Sequence, residues 1–233
     1  MKTSVSENEF YGAYDRGGQG CVLKKKHIRQ FDRDFVRSSG FVPSMSVLEL
    51  GCGNGLFLRY LDHLGVSRFV GVDGDPRVMG EMPPDLASHV RIADFSAFFS
   101  GHSPGETFDR VAMFDVLEHF TAEDGADLLR GLAPLLAPGG RVVIRTPNMA
   151  SPWGLGVQYN DVTHRTCYTP GSLSQVAKVA GFRLLAVHPQ AYGSWGREFR
   201  ERLLTGVMSS FLAAPPHIWT PNLIGVLERD GGG

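Results

Sequence analysis

Cysteine is scarce in this chain. Its three cysteines, Cys21, Cys52 and Cys167, lie far apart and show no C-x-x-C spacing. Neither a disulfide framework nor a thiolate zinc site is therefore expected, and a reducing cytoplasm is the compartment that fits. Long hydrophobic runs are missing as well: nothing reaches the ~18 apolar residues of a membrane span. The start, "MKTSVSENEFYGAYD", has no apolar core of the kind found in a secretory signal. Net charge is nearly absent, at −1. No global field draws the protein to nucleic acid or to an anionic membrane, and neither partner is expected. No internal repeat is visible. What remains is an ordinary globular composition, 42% hydrophobic and 20% charged over 233 residues, enough for one sizeable domain.

The chain organises itself after an irregular, Gly-rich arm at 1–21. The spacing of Leu23, Ile28, Phe31 and Phe35 predicts a helix over 23–38, with Gly40 as its stop. Its other side carries Lys24, Lys25, Lys26, Arg29, Arg33 and Arg37, which reads as a solvated face. Then apolar runs alternate with helical stretches. "MSVLEL", "RFVGVD", "VRIAD", "FDRVAMFD" and "GRVVIRTPN" read as strands; "LFLRYLDHLG", a proline-broken "DPRVMGEMPPDL" and "TAEDGADLLRGLAPLLAPGG" read as helices. Runs that are continuously apolar suit strands covered on both faces, so the rhythm predicts a doubly wound, mostly parallel α/β sheet. Residues 149–170 break the rhythm with Gly, Pro, Trp, Tyr and His, and a loop that long in a compact domain is often functional. A helix from "TPGSLSQVAKVAGF", a strand "FRLLAVHP", a helix over 197–212 and a last strand "NLIGVLER" follow.

The stretch "VLELGCGNG" ends a buried strand in Gly51, Gly53 and Gly55. Glycine there permits a tight turn and close backbone approach, and the next helix points its free N–H groups at the same spot. Asp73 closes the following strand, "VGVD", at the position where a carboxylate grips a ribose. Two readings fit: a nicotinamide or flavin site, or a nucleoside site without phosphates. Glu49 favours the second, because a carboxylate just before the turn repels pyrophosphate and suits an ammonium or sulfonium centre. The glycine spacing also departs from G-x-G-x-x-G.

With "VLELGCGNG", "GVDGDP", "IADF", "FDRVAMFDVLEHF" and "LAPGGRVVIRTPN" in this order, residues 47 to about 150 resemble a class I S-adenosylmethionine-dependent methyltransferase. The resemblance implies a Rossmann-like sheet of seven strands with the last one antiparallel. It implies that Glu49 and the loop Gly51, Cys52, Gly53, Gly55 hold the methionine part. Asp73 with Gly74 would bind the ribose hydroxyls, Asp94 and Phe95 the adenine, and Asp115 and Val116 would wall the sulfonium side as far as His119. It also suggests that residues 1–40 form a lid over the cofactor domain, 41–233, with Tyr14 toward the cofactor and Tyr11 toward the substrate. The bland alternatives are that Asp73 and Asp94 are loop acids, that Cys52 is packing and that His119 satisfies the helix start near Thr121.

Methyl transfer to a hydroxyl needs a base within hydrogen-bond reach, whereas an amine needs only its neutral form. The segment "YNDVTHRTCYTPGSL" follows the strand carrying Asn148 and should lie over the carboxyl edge of the sheet. It is similar to a D-x-T-H-x-x-x-Y/F-T-P-x-S-L pattern found in methyltransferase-domain proteins of sugar and polysaccharide biosynthesis. If Asp161 orients His164, His164 is the first-choice base and His119 the second. Tyr159, Tyr168 and Trp153 are candidates for a stacking wall, and Thr169 with Pro170 for a helix start. The expected acceptor is a small molecule, a hydroxyl of a sugar, nucleotide-sugar or glycan intermediate. An N-methyltransferase on a small amine is the rival, and a non-catalytic nucleoside-binding module the rival of another class. No metal is expected. Oligomeric state is open, a homodimer included.

Overall fold

The computed structural model describes residues 21–103, 105–192 and 194–231. Strand β1 (Val47–Leu50) buries all four residues and has a parallel neighbour on each side, β2 (Phe69–Asp73) and β4 (Phe108–Phe114). A strand hidden on both faces has to be apolar along its length; V-L-E-L breaks that rule only at Glu49. Strand β3 (Val90–Ile92) extends the sheet beyond β2, and β5 (Leu136–Pro147) runs parallel to β4. The last strand, β7 (Asn222–Arg229), inserts antiparallel between β5 and β6 (Phe182–Pro189). The order is β3-β2-β1-β4-β5-β7-β6. This is the expected seven-stranded sheet with its antiparallel last strand. The winding reverses between β1 and β4, and ligands of open α/β sheets sit at the carboxyl ends of strands beside such a reversal.

Helices cover both faces, giving two cores. On one side α2 (Leu56–His63) buries Phe57, Leu58, Tyr60 and Leu61 with Phe31 and Phe35; on the other α5 (Ala122–Leu132) buries Leu128, Leu129 and Leu132. Thr121 caps α5 by accepting from Asp124 N at 3.1 Å. Thr169 and Ser172 form a reciprocal capping box on α7 (Pro170–Val179), as a Thr-Pro start predicts. The proline-broken helix shrinks to one turn, α3 (Val78–Glu81). A short helix α6 (Gly154–Gln158) sits within the loop 149–169. Helix α8 (Trp195–Phe211) precedes β7. Among the described residues no helix is long and apolar enough to cross a membrane.

Two elements differ from the sequence reading. A helix α4 (Phe95–Ser100) follows β3 where none was expected; Asp94 creates it by accepting from Ser96 N at 2.9 Å. The N-terminal helix, α1 (Lys25–Phe31), continues as a wider π-helical segment, Asp32–Arg37. The hydroxyls of Ser38 and Ser39 donate to the carbonyls of Asp34 and Phe35, both at 2.6 Å. Such back-bonding competes with the regular ladder. Of the basic face, Arg33 pairs with Glu198 of α8.

Asp34 ties this segment to the chain after β6. It is buried, its Oδ1 accepts Ala191 N at 2.8 Å, and its Oδ2 has no hydrogen-bond partner among the described residues. Burial pushes its pKa from 3.8 up to about 6, against the Ala191 bond and Arg145. A carboxyl whose folded pKa lies above its unfolded one binds protons more tightly when folded, so it costs stability as pH rises through that interval. Asp34→Asn keeps the acceptor for Ala191 and removes the titration. Urea midpoints from pH 4 to 7 should therefore fall less in the variant than in the wild type; equal falls would contradict the assignment.

Candidate active site at the strand ends

The turn after β1 is built for glycine. Gly51, Gly53 and Gly55 have φ of 71°, 49° and 78°, left-handed values that side chains resist. A Cβ on Gly51 would lie 2.5 Å from Val116 Cγ2, and one on Gly55 2.5 Å from Met82 Sδ. A Cβ on Gly53 would meet nothing within 4 Å among the described residues, so this side of the turn is clear of them. Gly53 N donates to Asp73 Oδ2 at 2.9 Å, and Asp75 N donates to Asp73 Oδ1 at 2.9 Å. The acid of β2 is thus already aimed at the glycine loop. Gly74 follows it, with Ala93 O as the nearest atom to its absent Cβ, at 4.0 Å. Cys52 is buried, and burial, with Glu49 and Asp73 beside it, pushes its thiol up. It contributes packing and main chain, not reactivity.

Glu49 is 4% exposed, and its Oε2 finds no partner among the described residues. Burial first, then the charge of Asp73, raises its pKa well above the usual carboxylate range, with Arg145 opposing. Asp115 ends β4 with φ 57°, the one positive value among described residues other than glycine. It is held there by Arg145, whose Nε donates to Oδ1 at 2.9 Å and whose Nη2 pairs with Oδ2. Arg145 also lies 5.1 Å over the Phe114 ring. Asp94 stays exposed while capping α4, and Phe95 behind it is half-buried, 6.2 Å from the Phe120 ring.

The second part of the site hangs on one carbonyl. Arg165 N and Thr166 N both donate to Glu118 O, at 2.8 and 3.1 Å, which fastens the loop 149–169 to the turn after β4. His119 and His164 meet as a result, rings 4.7 Å apart and edge to face. The expected contact between Asp161 and the His164 ring is not what forms. Asp161 Oδ1 accepts from Thr163 N at 2.8 Å and Thr163 Oγ1 at 2.6 Å, and Thr163 Oγ1 sits 2.9 Å from His119 Nδ1. His164 Nδ1 goes to the Gln158 carbonyl at 2.8 Å. These acceptors set the tautomers of the neutral rings. A carbonyl only accepts, so His164 carries its proton on Nδ1. The Thr163 hydroxyl is spent on Asp161, so His119 Nδ1 donates to it. Both lone pairs are then on Nε2. Burial, then the neighbouring His164, holds His119 below the ordinary imidazole value. Burial pushes Asp161 up, but the Thr163 bonds and the two histidines outweigh it and hold the carboxyl below its usual range. No metal is expected from the sequence, yet ligand atoms of His119, Asp161 and His164 lie within 4.8 Å of one another. A divalent cation could be shared there if the hydrogen bonds just described opened.

Tyr168 requires a correction. It is fully buried, packed in the core with Leu117 and Leu173, so it cannot wall a substrate. Tyr159 and Trp153 are exposed on the loop, at 72% and 51%. Tyr11 and Tyr14 lie outside the described residues. Thr163, Gln158 and Arg145 complete the site without having been singled out in the sequence, because each acts through a tertiary contact.

Residues 23–187 match the family model of the methyltransferase domain. This chain belongs to that family. It is 33% identical over 127 residues to the ubiquinone biosynthesis O-methyltransferase of Bradyrhizobium diazoefficiens, covering 54% of this chain and 49% of that protein. The protein of the same name from Aeromonas salmonicida is 24% identical over 181 residues, 70% of this chain and 73% of its own length. The chain thus spans about half the length of the first relative and most of the second. Among solved structures, a SAM-dependent methyltransferase from Archaeoglobus fulgidus superposes with a TM-score of 0.67 at 19% identity, over 88% of this chain and 95% of that one. The cofactor of the family is S-adenosylmethionine, and the strand ends fit it. Glu49 has a buried oxygen that is unpartnered among the described residues, no described residue crowds Gly53, and Asp73 is fixed against the glycine loop. Gly53→Ala tests this, since its Cβ meets no atom of the described residues within 4 Å. Denaturation should show a loss of about 1 kcal/mol, the left-handed penalty of an L-residue. Calorimetric affinity for S-adenosylhomocysteine should fall at least tenfold, and undiminished affinity would contradict the placement.

Proposed function

We propose that this methyltransferase-domain chain methylates a hydroxyl of a small molecule, and that its paired histidines take the hydroxyl proton. When bound, the cofactor supplies a methyl group on a sulfonium, with a neutral thioether as leaving group. The protein's share is alignment and deprotonation. The observation that carries the reading is the His164 tautomer: its Nδ1–H donates to the Gln158 carbonyl, which puts the lone pair on Nε2, with the His119 ring beside it. An amine acceptor would not call for such a base. Asp161 steadies the positive charge that His119 or His164 gains.

The acceptor class we favour is a sugar, nucleotide-sugar or glycan hydroxyl, supported by the likeness of the loop segment 159–173 to proteins of sugar biosynthesis. A phenolic hydroxyl is the second reading, supported by the relatives named as O-methyltransferases of ubiquinone biosynthesis. His164→Ala should lower turnover by about 10²-fold with cofactor affinity unchanged, measured as release of S-adenosylhomocysteine over a panel of sugars, phenols and amines. A phenol ionises near pH ~10, so the variant should recover on a phenol as pH rises and stay slow on a sugar. Turnover unaffected by the substitution would overturn the base. Turnover abolished by a chelator and restored by a divalent cation would assign the cluster to a metal instead.

A further inference from the structure

Helix α8 turns its polar side to the protein. Its partly covered positions are Glu198, Glu201, Thr205, Met208 and Ser209, three or four residues apart and so on one face. The opposite side carries Trp195, Phe199, Leu203, Val207 and Phe211, one every fourth residue, at 81%, 59%, 63%, 53% and 83% exposure. Leu204 and Leu212 flank them at 56% and 46%. Together they expose on the order of 800 Å² of mostly apolar surface, above the ~300–600 Å² of the largest patch on a typical monomer. Among the described residues the apolar face is not packed against the body.

We propose that α8 is a homodimerisation helix that crosses its copy antiparallel on a twofold axis at Leu203. The stripe is symmetric about that residue. In an antiparallel pair Leu203 meets itself, Phe199 meets Val207 and Trp195 meets Phe211, the self-complementarity that an isologous contact requires. Charge distribution selects the same direction. Arg197, Glu198, Arg200, Glu201 and Arg202 all precede Leu203, and no charge lies between Leu203 and Leu212. Antiparallel crossing sets each charged half beside an uncharged one, so the charges stay at the rim of the contact; parallel crossing would bring both charged segments together and crowd their desolvation. The exposed area matches the ~800 Å² that each partner contributes to a standard interface. The net charge of −1 supplies no long-range attraction to an anionic bilayer, which leaves a second copy as the better-matched occupant.

Sedimentation velocity and light scattering on the full chain test this without any need for turnover or bound cofactor. The expected mass is twice 25.4 kDa. Leu203→Arg puts two guanidinium groups on the axis and should give a monomer with an unchanged circular dichroism spectrum. Val179→Arg, at a position 62% exposed on α7, should remain dimeric. A monomer at every concentration, or a Leu203→Arg protein that stays dimeric, would overturn the inference. So would a monomer that pellets with phosphatidylserine vesicles, which would give the apolar face to lipid.

Discussion

A carboxylate oxygen out of water and without a partner is costly, and Glu49 Oε2 is in that position among the described residues. Its strand is walled by β2 and β4, and Asp73 close by adds like charge, so the group resists ionising in the free protein. A cation arriving at the turn relieves both costs at once. That is a physical reason for a site that prefers a positively charged ligand over a pyrophosphate, and it makes the glycine turn more than a tight corner. The left-handed residues clear space, the acid supplies charge, and Asp73 links them through Gly53 N.

The rest of the site follows from how the end of β4 is anchored. Arg145 on β5 holds Asp115 in a conformation that an aspartate rarely adopts, and the chain then turns through Leu117–His119. Glu118 is fully buried there, and neither of its carboxylate oxygens has a hydrogen-bond partner among the described residues. Its main-chain carbonyl nevertheless takes two donors from the loop. Sheet and loop are thereby one structure, and the two histidines face each other because two distant segments share a single acceptor.

Much of this was legible in the sequence, and the boundary is physical. Continuous apolar strands, Thr121 and Thr169 as caps, the glycine turn and Asp73 are local signals, each contained within a few residues. Tyr168 looked like a loop aromatic because its neighbours are polar, but burial was decided by α5 and α7 closing over it. The helix α4 leaves little periodicity in a single turn and a half, and its one clear local mark, Asp94, equally fits a ligand residue. Asp161 and His164 were paired by spacing, whereas Thr163 and Gln158 compete successfully for the same atoms. The outward direction of the apolar face of α8 depends on which side meets the body, which no pattern within the helix records.

On the proposed reading the strand-end turn selects an adenosine carrying positive charge. Isothermal titration of the protein with S-adenosylmethionine and, separately, with NAD is the decisive measurement, repeated in buffers of different ionisation enthalpy. The expected result is saturable binding of S-adenosylmethionine with release of a proton as Glu49 ionises, and no binding of NAD. Binding of NAD with S-adenosylmethionine ignored would contradict it.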